Sequence, residues 1–117
     1  MYSYNKKILT ILICCYNAAE FLRECIGSLK QQAPSNLYKI LFVDDASTDG
    51  SFEIAKVYSR AFKGFSLLNN KKRIGLVSSC NKALRFIDTP YFMRLDADDS
   101  LSEDALEKIS LELFLRN

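Results

Sequence analysis

A chain of 117 residues, 49% apolar and 26% charged, is long enough for one domain that buries roughly two-thirds of its unfolded surface, and its composition excludes disorder and fibrous repeats. Sixteen Lys and Arg against 14 Asp and Glu leave a formal charge of +2, too small for nucleic-acid binding by bulk charge. There is no histidine, which removes Ser-His and Cys-His nucleophiles and leaves a carboxylate, Lys or Tyr as any base.

The start, Met1 to Lys7, is polar, so no secretory leader is expected, and the apolar run Ile8 to Tyr16 is too short to span a bilayer. That run is rich in β-branched residues and predicts a central strand covered on both faces. From Ala18 to Gln32, Leu22, Cys25, Ile26 and Leu29 recur at helical spacing, and Pro34-Ser35-Asn36 breaks the pattern. Tyr38 to Val43 predicts a second strand, followed by the turn-rich loop Asp44 to Ser51. A helix is expected from Ser51 to Phe62, packing through Phe52, Ala55, Tyr58 and Phe62 and stopped by Gly64. Phe65 to Leu68 reads as a third strand, Asn69 to Arg73 as a polar turn, and the basic pairs and triplet at Lys6-Lys7 and Lys71-Lys72-Arg73 as solvated loops. A third helix follows Ile74-Gly75, with Val77, Cys80, Ala83 or Leu84, and Ile87 on its buried face, closed by Asp88-Thr89-Pro90. After a fourth strand at Tyr91 to Leu95, Ser100-Leu101-Ser102-Glu103 has the form of a capping box, and Leu106, Ile109 and Leu113 line a fourth helix. The four cysteines, Cys14, Cys15, Cys25 and Cys80, lack the C-x-x-C spacing of a zinc site and read as small buried hydrophobes in a reducing compartment.

Strands alternating with helices predict an α/β fold: a mainly parallel sheet, right-handed crossovers and helices on both faces. Ligands of such sheets bind beyond the carboxyl ends of the strands, so the loops after strands one, two and four should share one rim. That rim would carry Tyr16, the pair Asp44 and Asp45, and Asp96-Ala97-Asp98-Asp99. Three carboxylates within four residues repel one another unless a cation joins them. If the chain stays extended, Asp96 and Asp98 point the same way and offer hard oxygen ligands to Mg²⁺ or Mn²⁺. The same acids also suit the N-terminus of the following helix, and these residues alone do not separate the two readings. Tyr16 offers a face for stacking a base, and Asp44 and Asp45 offer acceptors for a base imide or a ribose hydroxyl, or alternatively an Asx turn. No P-loop and no G-x-G-x-x-G occurs, which removes simple kinase, GTPase and dehydrogenase readings.

Taken in order, Cys14-Cys15-Tyr16-Asn17, Val43-Asp44-Asp45-Ala46-Ser47-Thr48-Asp49-Gly50-Ser51, Ile74-Gly75-Leu76 with Asn81-Lys82-Ala83-Leu84, and Met93 to Asp99 resemble the nucleotide-binding half of a family 2 glycosyltransferase with the GT-A, Rossmann-like fold. The resemblance covers nearly the whole chain and implies one nucleotide-diphospho-sugar-binding domain over residues 1–117, ending before the acceptor-binding segment. It implies sugar transfer from a nucleotide donor, a UDP-sugar above all, to a glycan or lipid-linked acceptor, with inversion. By position, Tyr16 would stack on the base, Cys14 would touch it through its backbone, Asp45 would bind the imide and Asp96 the ribose or sugar. Asp44, Gly75 and Asn81 complete the implied nucleotide-sugar set, and Asp98 closes a DXD motif that binds Mn²⁺ or Mg²⁺. The general base is expected beyond Asn117. A cytoplasmic protein without a transmembrane segment is implied, with peripheral association at the inner membrane face or a dimer for the full-length form.

The chain departs from the family where Cys14 and Cys15 replace Pro-Thr, and where Cys80 replaces the usual Arg or Leu. Arg94 is then a candidate for a diphosphate contact, with an ion pair to a neighbouring acid as the favoured alternative. Two other readings compete. Asp96-Ala97-Asp98-Asp99-Ser100 loosely fits the D-x-D-x-[TS] motif of haloacid-dehalogenase-like phosphatases, and a non-catalytic binding module would use the acids only as helix caps.

Overall fold

The computed structural model describes residues 7–32 and 36–116, which form four strands and four helices in strict alternation. The expected polar start, Met1 to Lys6, and the break at Pro34 and Ser35 lie outside the described residues. Strand β1 (Leu9–Cys15) is buried at all seven positions, six of them apolar and the seventh Thr10. It pairs in parallel with β2 (Tyr38–Asp44) on one side and β4 (Tyr91–Arg94) on the other, and β3 (Phe65–Asn69) pairs with β2, giving the order β3-β2-β1-β4. Helices α1 (Ala19–Lys30), α2 (Ser51–Ser59) and α4 (Ala105–Arg116) contribute to the larger core, beneath Leu9, Ile11, Ile13 and Phe42. Helix α3 (Leu76–Leu84) covers the opposite face through Ala83 and Cys80, over Leu12, Cys14, Leu41 and Val43. Each of these large side chains contributes roughly 1.5–3 kcal/mol on burial, so the two covered faces of β1 and β2 dominate the stability. Among the described residues, no helix is long and apolar enough to cross a membrane.

Helix α1 buries Leu22, Cys25, Ile26 and Leu29, the stripe its periodicity predicts. Several expectations are corrected. Helix α2 stops at Ser59 and not at Phe62, the chain tightening into turns in which Ala61 N–H donates to Tyr58 O and Phe62 N–H to Ser59 O. Gly64 does not end it in a left-handed conformation; a side chain there would meet Lys39 Cβ at 2.9 Å, so close approach to β2 explains the glycine. Val77 is 73% exposed, because α3 turns its small residues Ser79 and Ala83 to the sheet. Strand β4 is an edge among the described strands, its alternating pattern leaving Phe92 and Arg94 exposed, since α3 lies over β1 and β2 and not over β4. The Thr89 hydroxyl donates to Tyr91 O and accepts from the buried Thr10 hydroxyl, at 2.7 and 2.6 Å, which fastens this edge to β1 without an unpaired polar group.

A further correction concerns α4. It begins at Ala105, and the capping box at Ser100 does not form. Its N-terminus is capped instead by Gln32, just beyond the end of α1. Buried Gln32 accepts from Leu106 N–H at 3.0 Å and donates to Ser102 O at 2.6 Å and Ser28 O at 3.0 Å, while Ser28 Oγ accepts from Leu101 N–H at 3.0 Å. The segment after the acids is thereby tied to the core.

Candidate donor site at the carboxyl rim

The loops after β1 and β2 interlock. Asn17 turns with φ 49°, donates its N–H to Ser47 Oγ at 2.9 Å and accepts from Thr48 N–H at 2.8 Å. Asp49 accepts from Ala19 N–H at 3.0 Å and from Ser51 N–H at 3.1 Å, so one carboxylate serves the first turns of both α1 and α2. Burial acts to raise its pKa, but the hydrogen bonds from Ser51 and Ala19 outweigh it and hold the group below the usual range.

Asp45 is fully buried, and its carboxylate accepts from Ile74 N–H at 2.8 Å, Gly75 N–H at 2.9 Å and Asn70 Nδ2 at 3.1 Å. Burial acts to raise its pKa, but these donors prevail and keep it ionised below the ordinary carboxylate value. Asn70 extends the network by donating to Ser79 Oγ and accepting from Lys82 Nζ. Gly75, at φ 93°, supplies the conformation that starts α3 while its N–H points at Asp45. Asp45 is not among the residues that line the cleft described below, and its carboxylate holds the 74–75 backbone. Asp44 is also buried; Oδ2 accepts from Ser47 N–H at 2.9 Å, while Oδ1 has no partner among the described residues. An orphaned buried acceptor costs about 1–3 kcal/mol, so of the pair Asp44 keeps the unused acceptor.

A cleft of about 360 Å³ opens between the loops after β1 and β4, lined by Cys14, Tyr16, Phe21, Leu76, Arg94, Asp96 and Asp98 among others. Tyr16 is pinned on one side by the Arg73 guanidinium, 3.7 Å from the ring centroid. At the other end Asp96, Asp98 and Asp99 are exposed, with one carboxylate oxygen of each within 4.8 Å of the others. They converge through a turn in which Asp99 N–H donates to Asp96 O at 2.9 Å, which corrects the expected extended chain and adds Asp99 to the cluster. All-oxygen donors at this spacing fit a hard divalent cation. Arg94 pairs with Asp96 at 3.4 Å, the favoured alternative, and as both are half-exposed the pair contributes about 0–1 kcal/mol.

The rim thus gathers Cys14, Tyr16, Asp96 and Asp98 into one cleft, whose lining does not include Asp44, Asp45 or Gly75, and leaves Asn81 exposed on α3. Arg73, Asn70, Ser79 and Gln32 escaped the sequence reading, because their partners are distant in the chain; only the cap-prone Asp49-Gly50-Ser51 carried a local signal. The acids do not cap α4, which starts at Ala105 under Gln32, and they follow the edge strand β4, not the first strand that a dehalogenase-like phosphatase motif must follow.

The sequence pattern of the family described as glycosyl transferase family 2 matches residues 10–113. The chain belongs to this family. An uncharacterized glycosyltransferase of Haemophilus influenzae is 32% identical to this family 2 chain over 105 residues, 90% of this chain and 32% of that protein. Among solved structures, S. aureus TarS 1-349 in complex with UDP-GlcNAc shares the fold at a TM-score of 0.83 and 22% identity, over 89% of this chain and 30% of that one. The mannosyltransferase PcManGT from Pyrobaculum calidifontis in complex with GDP-Man and Mn2+ superposes at a TM-score of 0.78 with 25% identity, over 84% of this chain and 30% of that one. The chain therefore spans about a third of the length of each.

Proposed function

We propose that this family 2 chain forms the donor-binding part of a glycosyltransferase that takes a sugar from a nucleoside-diphosphate sugar, a UDP-sugar first, with a divalent cation. The observation that carries the reading is the cleft running from the ring of Tyr16 to the three acids at Asp96, Asp98 and Asp99. In it, the base stacks on the free face of Tyr16 next to the backbone of Cys14, and Asp96 binds the ribose or sugar. Asp45, through Gly75, shapes the base end from behind, and Asp44 Oδ1 supplies an acceptor for a ligand N–H or an ordered water.

Asp98, with Asp96 and Asp99, would hold Mn²⁺ or Mg²⁺, a choice supported by the all-oxygen donor set and by the Mn2+ in the PcManGT complex. Such a cation supplies Lewis-acid stabilisation of the charge that develops on a departing diphosphate. Arg94, paired with Asp96, lies close enough to the acids to share in neutralising that charge. Inversion, a glycan or lipid-linked acceptor, a base from a segment outside this chain, and work at the cytoplasmic face of a membrane complete the reading.

The test is isothermal titration of UDP, and separately GDP, into the chain with Mn²⁺ and with EDTA, repeated on Asp98→Ala. UDP binding that requires both Mn²⁺ and Asp98 is the expected result. Preference for GDP would reassign the nucleotide, and equal binding with EDTA or in Asp98→Ala would overturn the metal role of the acids.

A further inference from the structure

Cys14 on β1 and Cys80 on α3 are 66 positions apart in sequence, yet their sulfurs approach to 2.7 Å, nearer than two non-bonded sulfurs normally rest. Both are free thiols, Cys14 buried and Cys80 half-buried. Around them the smaller core is aliphatic, with Leu12, Leu41, Val43 and Ala83. Cys14 also lines the cleft beside Tyr16, Arg94 and Leu76, the first residue of α3. The two thiols therefore join the helix that forms one wall of the cleft to the strand that forms another. Cys15 and Cys25 belong to the larger core on the opposite face, and burial, with the neighbouring Cys15 and acids, pushes the Cys25 thiol up to about 12.

We propose that Cys14 and Cys80 form a dithiol modification site, which a small-molecule disulfide of the glutathione class converts to an intramolecular disulfide that narrows the adjoining cleft. The effect on the cleft rests on the donor-site reading above; the bond does not. Cys80, the more accessible sulfur, attacks one sulfur of the oxidant as a thiolate, forming a mixed disulfide and releasing one thiolate. Cys14 then gives up its proton and attacks Cys80 Sγ, expelling the second. The protein loses two protons and two electrons, and the oxidant becomes two thiols. Burial, reinforced by the hydrogen bond with Cys80, pushes the Cys14 thiol far above its ordinary range, which assigns the first attack to Cys80.

The experiment treats the chain with oxidised glutathione, blocks remaining thiols with N-ethylmaleimide, and reads intact mass and peptide maps. Expected is a loss of about 2 Da with two thiols protected, a peptide joining Cys14 to Cys80, reversal by dithiothreitol, and a melting temperature raised by about 5–10 °C. Affinity for UDP with Mn²⁺ should fall about fivefold or more in the oxidised protein. Cys80→Ser should lose the cross-link, the thermal shift and the redox dependence together. A glutathione adduct that persists on Cys80, or an unchanged mass, would overturn the site. A mapped bond with unaltered UDP affinity would overturn its action on the cleft. Failure of the reduced chain to bind UDP would strike the donor-site reading alone, since mass and melting still decide the bond.

Discussion

Two groups of aspartates sit on the same rim in opposite environments. Asp44 and Asp45 are buried, and Asp45 is saturated by Ile74 N–H, Gly75 N–H and Asn70. Asp96, Asp98 and Asp99 are exposed and close together, and among the described residues Arg94, half-exposed, forms an ion pair with one of them, Asp96. Asp45 is satisfied by the chain's own donors and holds the architecture of the rim, while Asp44 keeps one oxygen unpartnered among the described residues; the second group gathers like charge at the mouth of a cleft, the arrangement expected of a ligand site. Residue type alone does not distinguish them. What distinguishes them is whether backbone N–H groups from another loop arrive to meet the carboxylate.

Removing a member of each group should therefore act on different observables. Asp45→Ala leaves two backbone donors and one N–H of the Asn70 amide unpaired in the interior, and urea unfolding should show a loss of about 3 kcal/mol or more. A loss below about 1 kcal/mol would mean that the network is replaced by water and does not hold the rim.

Gln32→Ala removes the donor and acceptor that join the segment after α1 to Ser102 and Leu106, and should destabilise by about 2 kcal/mol. Hydrogen exchange should quicken at Leu106 before it quickens in β1. Uniform acceleration across both would show that the clamp has no local role.

At the exposed cluster, Asp98→Ala should change stability by no more than about 0.5 kcal/mol while weakening UDP binding in Mn²⁺ about tenfold or more, or about 1.4 kcal/mol. If unfolding and binding moved together, the contrast between the two groups would fail. The smallest effect belongs to Arg73→Ala, which removes a stacking contact of about 0.5–1 kcal/mol over Tyr16 and should weaken UDP binding a few-fold.

The pH dependence separates the groups once more. Asp45 titrates lower in the folded chain than unfolded, so its contribution is complete above the ordinary value of 3.8 and is lost as pH falls from there through the lowered folded value. Acid titration followed by circular dichroism should show Asp45→Asn with a flatter loss of stability below pH 3.8 than the parent chain. An equally steep loss would assign acid unfolding to other groups, Asp49 first.

What could be read without a structure was whatever local pattern enforces. The run Leu9 to Cys15 had to be a central strand because every residue but Thr10 is apolar, and the stripe Leu22, Cys25, Ile26 and Leu29 had to be the inner face of a helix because 3.6 residues complete a turn. Strand alternation with helices then required a parallel sheet and put the loops carrying Tyr16, Asp45 and Asp98 at one end. The remainder depended on contacts between segments far apart in the chain, which no window of sequence encodes. Asp45 is internal because Ile74 and Gly75 come to it across 29 and 30 positions, and α4 starts under Gln32 from 74 positions away. Cys80 meets Cys14 only because α3 folds back over β1. Periodicity fixes which face of an element is apolar; which carboxylate, amide or thiol meets a partner is decided by packing those faces together.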